Sequence, residues 1–359
     1  MTNPVTTRST LRASLAIVAA ATAAGTLAAS LVWAPTSTAK PPTGSTTPKA
    51  WVFMVNPVQS SNDQDLADDK DARSAVPMSA YATVPLANLD GSGYLRGRWA
   101  YVESATGRPA YSDKGEYFYT RDQDQFEQVM AYFWVDRAQT YLQSLGFDDI
   151  VHQPFHVKVG QYGGDNSYQT DKPYRIRIGK GGVDDGEDAE VIVHEYGHAV
   201  HASQVPGFGS GLDAGSIGEA FGDYLAVSVG LDAADQFGWP VAADPSCPMD
   251  WDSTSYTDEV PHCIRSFHTD LTVAKRENEV HADGQIWAQA LWEIREFYAA
   301  HGKTTRAWDT TLISSQYDYA PDTTFSAAAR TTYLKAVELD GPTFADAVKA
   351  RFAARGITF

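Results

Sequence analysis

The sequence predicts an α+β protein that mixes strands with helices at first and becomes mostly helical later. Three patterns carry that expectation. Phe155–Val159 and Tyr174–Ile178 alternate with period two, as half-buried strands do. Phe126, Met130, Trp134, Ala138, Tyr141 and Leu145 recur at helical spacing and stop at Gly146. Beyond the Gly- and Pro-containing stretch Pro206–Gly215, helical patterns follow one another. The chain has 359 residues, 43% hydrophobic and 20% charged, which excludes a mostly disordered protein. Its formal net charge of −17 argues against nucleic acid as a partner, because phosphate binding needs a surplus of Lys and Arg.

In chain order, residues 1–39 read as an export signal. Arg8 and Arg12 precede the uncharged, Ala-rich run Ala13–Trp33, and Ser37 and Ala39 place small residues at −3 and −1 before Lys40. Cleavage after Ala39 is expected, giving a secreted protein without stable membrane insertion. The alternative is an uncleaved anchor, since about 20 apolar residues can span a bilayer. Residues 40–49, rich in Pro, Thr and Ser, read as a flexible lead-in. Residues 50–120 suggest short strands and loops, with an Asp-rich loop at Ser60–Ser74 that could also take calcium. Further helices are expected over about 188–203, 216–229, 283–300, 324–339 and 343–354. The boundary near Pro206 divides the chain into an N-terminal part, 50–205, and a helical part, 206–359. Cys247 and Cys263 are the only cysteines; in an oxidising compartment they are expected to pair, and otherwise they are two thiols. A monomer is expected.

The sharpest chemical signal is His194-Glu195-Tyr196-Gly197-His198. Two His at i and i+4 on a helix present both imidazoles on one face, suited to one zinc ion. Glu195 lies beside them, able to take a proton from water. A catalytic zinc site wants a third protein ligand and one open position. Gln204 and His201 stand where the Met-turn class of site would need His and Gly, which excludes that class. His201 is a weak candidate on helix-face grounds. Glu219 is the better third ligand. Asp223 lies at i+4 from it, on the same face, where it could accept a hydrogen bond from a ligand imidazole. Gly218, Ala220 and Gly222 would let the two helices approach closely.

His194–His198 followed by Glu219-Ala220-Phe221-Gly222-Asp223 resembles the thermolysin and fungalysin group of zinc metallopeptidases. Ala131–Phe147, Gly181–Glu190 and Glu279–Trp287 resemble segments around the site in fungalysin-like enzymes, so the likeness spans about 120–355. The resemblance implies a thermolysin-like two-lobe fold and a secreted zinc endopeptidase acting on proteins or peptides. By that match His194, His198 and Glu219 would bind zinc, and Glu195 would be the general base. His281 would stabilise the oxyanion, and Asp223 would orient a zinc-bound His. Asn166 and Arg265 match positions that bind substrate backbone, and Tyr174–Ile178 would be the edge strand along which a peptide lies.

Other readings stand beside these. His281 could merely neighbour a helix N-cap, Asn166 could shape a turn, and Arg265 could pair with Glu259 or Asp270. Glu277 or Glu279 would support His281. Between His198 and Glu219, Phe208 is the only Phe, Tyr or Trp, so the tyrosine that some relatives place beside the oxyanion has no match there. Gly230 falls where a thermolysin calcium ligand would lie, although Asp184–Glu190 could hold an ion. A secreted protein that keeps the zinc site but only binds is the alternative function.

Overall fold

The computed structural model describes residues 47–161, 165–241 and 244–359. The export signal and residues 40–46 of the lead-in lie outside the described residues; Lys49, at the lead-in's end, already opens a strand.

The elements run in order β1 (Lys49–Phe53), α1 (Pro57–Ser61), β2 (Tyr81–Pro85), β3 (Ala100–Ser104), β4 (Glu116–Tyr117) and α2 (Gln125–Ser144). Then come β5 (Phe155–Val159), β6 (Tyr168–Asp171), β7 (Tyr174–Arg177), α3 (Ala189–Gln204) and α4 (Leu212–Phe237). The chain finishes with α5 (Val280–Ala300), α6 (Thr305–Gln316), α7 (Phe325–Leu339) and α8 (Pro342–Ala354). Strands precede the long run of helices, as the change of periodicity predicts. The helix α6 is an addition to the expected set.

β2, β1 and β4 form one sheet, and β3, β5, β7 and β6 form another in that spatial order. In the second sheet β3, β5 and β7 are parallel, while β6 runs antiparallel to β7, with Tyr168 opposite Arg177 and Asp171 opposite Tyr174. This corrects the expectation for Tyr174–Ile178. β7 is paired on both sides, and the edge belongs to β6, whose polar Tyr-Gln-Thr-Asp sequence gives no period-two apolar signal.

α2 is buried nearly all round, its polar Glu127, Gln128, Asp136 and Gln139 included, so its apolar stripe covers only part of the surface it packs. The buried apolar residues make one connected core that runs from Ala50 to Ile357. No helix among the described residues is long and apolar enough to cross a membrane.

Local chemistry sets the ends of the site-bearing helices. Asp188 caps α3, its carboxylate accepting from the Glu190 amide at 2.9 Å, and α3 stops at Val205 before Pro206. Glu279 caps α5 by accepting from the Ala282 amide at 2.9 Å. Gly238 ends α4 in the left-handed region. α3 and α4 approach each other closely. A Cβ on Gly197 would stand 2.9 Å from the Cα of Gly222, and one on Gly222 would stand 2.6 Å from His194 Nδ1. Only hydrogen fits at both places. Gly197→Ala is therefore expected to lower stability by about 1–3 kcal/mol, because a backbone rather than a mobile side chain must give way. Thermal unfolding of the purified variant checks this, and an unchanged melting temperature would refute it.

Candidate active site

α3 points His194 and His198 toward α4, and α4 returns Glu219 and Asp223 (all i, i+4 pairs). The Nε2 atoms of the two His lie 3.2 Å apart. Glu219 Oε2 is 3.3 Å from His194 Nε2, and Oε1 is 3.5 Å from His198 Nε2. The two ring nitrogens and the Glu219 carboxylate, each of whose oxygens faces one ring, are thus close enough together to share one ion. Two neutral-capable imidazoles and a carboxylate are also the donor types zinc takes, so the residues fit the ion. Glu195 places a carboxylate oxygen within 4.8 Å of both ring nitrogens, and its Oε2 is buried with no hydrogen-bond partner.

Behind this triangle, His194 Nδ1 donates to Asp223 Oδ1 at 2.7 Å, which fixes the tautomer and leaves Nε2 to face the site. Arg265 donates to the same carboxylate from Nε and Nη2, each at 2.6 Å. Neither Glu259 nor Asp270 is its partner: the two expected pairings are replaced by Asp223, which offers both oxygens in the plane that a guanidinium fork requires.

The electrostatics follow from burial and charge. Burial pulls His194 down, but Asp223 and Glu219 outweigh it and hold the ring up at about 10. Burial pushes His198 to about 4 despite Glu219. Burial lifts Glu195 to about 7 against the pull of His194. For Asp223 burial is overcome by Arg265 and then His194, which hold it at about 2. Glu219 is held well below the usual carboxylate range, burial being overcome by His198 and His194. Two ionised carboxylates thus draw positive charge to the face where the imidazoles meet.

The remaining expected residues reach the same cleft. His281, at the start of α5, places Nε2 3.4 Å from Glu219 Oε2, and its Nδ1 donates to Glu279 Oε1 at 2.6 Å. Of the two candidate supports, Glu279 is the partner; the Glu277 amide instead donates to Asp283 at 2.8 Å. Asn166, Arg265 and His281 line a cavity of about 350 Å³ together with His194, Glu195, His198 and Glu219. Ser167, Tyr168, Gln169, Asp185, Val191, Met249, Asp252, Tyr256 and Ile264 complete it. Apart from Asp185, which lies in the segment Gly181–Glu190, these residues carry no motif. Tyr256 brings an aromatic hydroxyl to the cleft from a part of the chain beyond the interval in which a tyrosine was sought.

His201 lies apart from this set. It is buried between Phe208 and Phe221, with ring centroids 4.2 and 4.5 Å away, and neither ring nitrogen has a hydrogen-bond partner. Cys247 and Cys263 form a disulfide. In the run Asp184–Glu190, Asp184 pairs with Lys180 at 2.7 Å and Glu187 with Arg121 at 2.9 Å. Asp188 and Glu190 converge with Asp250 within 4.8 Å. In the Asp-rich loop, Asp68 is committed to Arg121. Gly230 faces Val55.

Asp223 governs both its neighbours. Asp223→Asn is expected to weaken metal binding by about 10- to 100-fold, since the amide can present its N–H to Nδ1 and no longer favours the needed tautomer. Competition against a chromophoric chelator measures this, and wild-type affinity would refute it.

Residues 117–355 match the fungalysin metallopeptidase family, M36. An extracellular metalloproteinase, mep, of Aspergillus terreus (strain NIH 2624 / FGSC A1156) is 31% identical over 134 residues. That stretch is 33% of this chain and 20% of the fungal protein. The extracellular metalloproteinase mep of Aspergillus niger (strain ATCC MYA-4892 / CBS 513.88 / FGSC A1513) is 30% identical over 121 residues, 30% of this chain and 18% of that one. The chain thus spans about a fifth of the length of these curated relatives. The fold resembles that of a precursor of protealysin, a metalloproteinase from Serratia proteamaculans, with a TM-score of 0.52. That likeness covers 72% of this chain and 87% of the other at 17% identity, and concerns the fold alone. The family match runs over more than half of the sequence and contains every residue of the triangle, and on that ground the chain belongs to the fungalysin metallopeptidases.

Proposed function

We propose that the protein is a secreted zinc-dependent endopeptidase that hydrolyses peptide bonds in proteins or peptides. The observation that supports it most is the convergence of His194, His198 and Glu219, whose ring nitrogens and carboxylate oxygens approach to 3.2, 3.3 and 3.5 Å, with Glu195 beside them. In this reading those three residues hold the zinc, which when bound supplies a Lewis acid for the scissile carbonyl and makes a water acidic enough to deprotonate near neutral pH.

The side chains do the rest. Glu195 takes the proton of the attacking water and passes it to the leaving amine; its buried, unpartnered Oε2 suits a group that must gain and lose a proton. His281 gives Nε2–H to the developing oxyanion. Glu279 accepts from Nδ1 and holds the ring so that Nε2 faces the cleft. Asp223 keeps His194 in register, and Arg265 holds Asp223 while its guanidinium borders the cleft, where it would meet a substrate carbonyl. The edge strand β6 takes the place expected for Tyr174–Ile178: an extended peptide would pair along it, with Asn166 at its start.

The N-terminal part, 50–205, and the helical part, 206–359, are the two lobes of this reading, and the protein acts as a monomer. Export after cleavage at Ala39 agrees with relatives that are named extracellular. Within Asp184–Glu190, Asp188 and Glu190 converge with Asp250 and could take a calcium ion as a second ion.

Casein zymography, with and without a zinc chelator, tests the activity: clearing that the chelator abolishes and added zinc restores is expected. Glu195→Gln should retain zinc and lose more than about 10³-fold in kcat, since one residue serves both proton transfers. Wild-type proteolysis by that variant would defeat the assignment.

A further inference from the structure

Three carboxylates from separate stretches meet beside the same cleft, two of them, Asp185 and Asp252, on its wall. Asp165 precedes β6, Asp185 lies in the turn ahead of α3, and Asp252 lies between the two cysteines. One oxygen of each falls within 4.8 Å of the others. Asp185 and Asp252 are 2% and 3% exposed. Each of the three has a buried Oδ1 without a hydrogen-bond partner, and among the described residues the Asp252 side chain accepts no hydrogen bond at all.

Several other buried carboxylates of this protein have cations. Glu187 has Arg121, Asp309 has Arg295, Asp184 has Lys180, and Asp223 has Arg265. No Lys or Arg among the described ion pairs reaches Asp165, Asp185 or Asp252. Burial accordingly lifts all three above their usual range, Asp185 to about 7. Buried charge without a partner is costly, and a cation from outside the chain would offset that cost.

We propose that Asp165, Asp185 and Asp252 form a subsite that receives the Lys or Arg side chain of the substrate residue next to the scissile bond. The inference rests on the peptidase reading above and adds the class of residue selected. Asp185 and Asp252 line the cavity that holds Glu195, His198 and His281, so a side chain beside the reacting bond can reach them. Val191, Met249 and Ile264 line the same cavity and offer apolar surface to an aliphatic stem whose charged head meets the carboxylates. A resident calcium ion suits the place less well. It takes six to eight oxygens, and the nearby Ser167 and Tyr256 hydroxyls already donate, to Asp185 and to the Asp165 carbonyl. A chain of net charge −17 also draws cationic peptides toward it.

The test digests a peptide library with the zinc-loaded protein and reads the cut sites by mass spectrometry. A matched pair of peptides with Lys or Leu at the selected position then gives a ratio of kcat/KM values. Lys and Arg should be enriched at one position flanking the cut. The Lys-to-Leu ratio should fall at least about tenfold in Asp252→Asn and in Asp185→Asn, because each removes a charge that the substrate cation needs. Cutting that favours apolar residues in the wild type overturns the subsite while leaving the peptidase reading intact, as does an unchanged ratio in both variants. Calcium that survives dialysis of the wild type and is lost from Asp252→Asn assigns the carboxylates to a resident ion and also overturns it. Zinc-loaded wild type that cuts no peptide refutes the peptidase reading, and this inference falls with it.

Discussion

The contact between α3 and α4 at Gly197 and Gly222 is the constraint from which the site follows. Two helices that touch through backbone atoms can face each other's side chains within bonding reach of one ion. His194 and His198 come from one helix, Glu219 and Asp223 from the other. The same closeness sets His194 Nδ1 against Asp223, so the spacing that assembles the ligands also orients one of them. Bulk at Gly197 would press on the backbone of α4 and part the two halves of the site, whereas bulk at Gly222 would strike the His194 ring itself.

Buried charge ties the surroundings to that helix pair. Arg121 lies fully buried and joins Glu187, just ahead of α3, to Asp68 in the early loop, while Trp251 donates to Glu187 at 3.1 Å. On the far side Arg295 of α5 meets Asp309 of α6 at 3.2 Å, and Tyr141 of α2 and Tyr224 of α4 donate to that same carboxylate. Each network links segments far apart in sequence. Removing one member of either would leave a charge buried alone, which costs far more than the net worth of the pair. They specify how the helices sit more than they add to stability.

Much of this was legible in the residues because the chemistry is local. Two His four apart, or Glu219 and Asp223 four apart, are read on a single helix face. The Gly-rich interruptions of α4 announce a close approach. β6 escaped because an edge strand facing a cleft has no apolar alternation to display, and α6 because Thr305–Gln316 holds five Ser and Thr residues around a short apolar set, Trp308, Leu312 and Ile313. Arg265 was placed near the substrate, but its partner lies 42 positions away, and no spacing rule reaches that far. Asp165, Asp185 and Asp252 were invisible as a group for the same reason: only the fold makes them neighbours.

The disulfide between Cys247 and Cys263 closes a loop that holds Asp252 and Tyr256 and ends two residues before Arg265. In the chain-entropy picture such a closure contributes about 3 kcal/mol by restricting the unfolded chain. One flank of the cleft is thereby sewn shut by a bond that a thiol-rich cytoplasm would open. The groove is firmest where the surroundings are oxidising, so the redox state of the compartment is, in effect, part of its architecture.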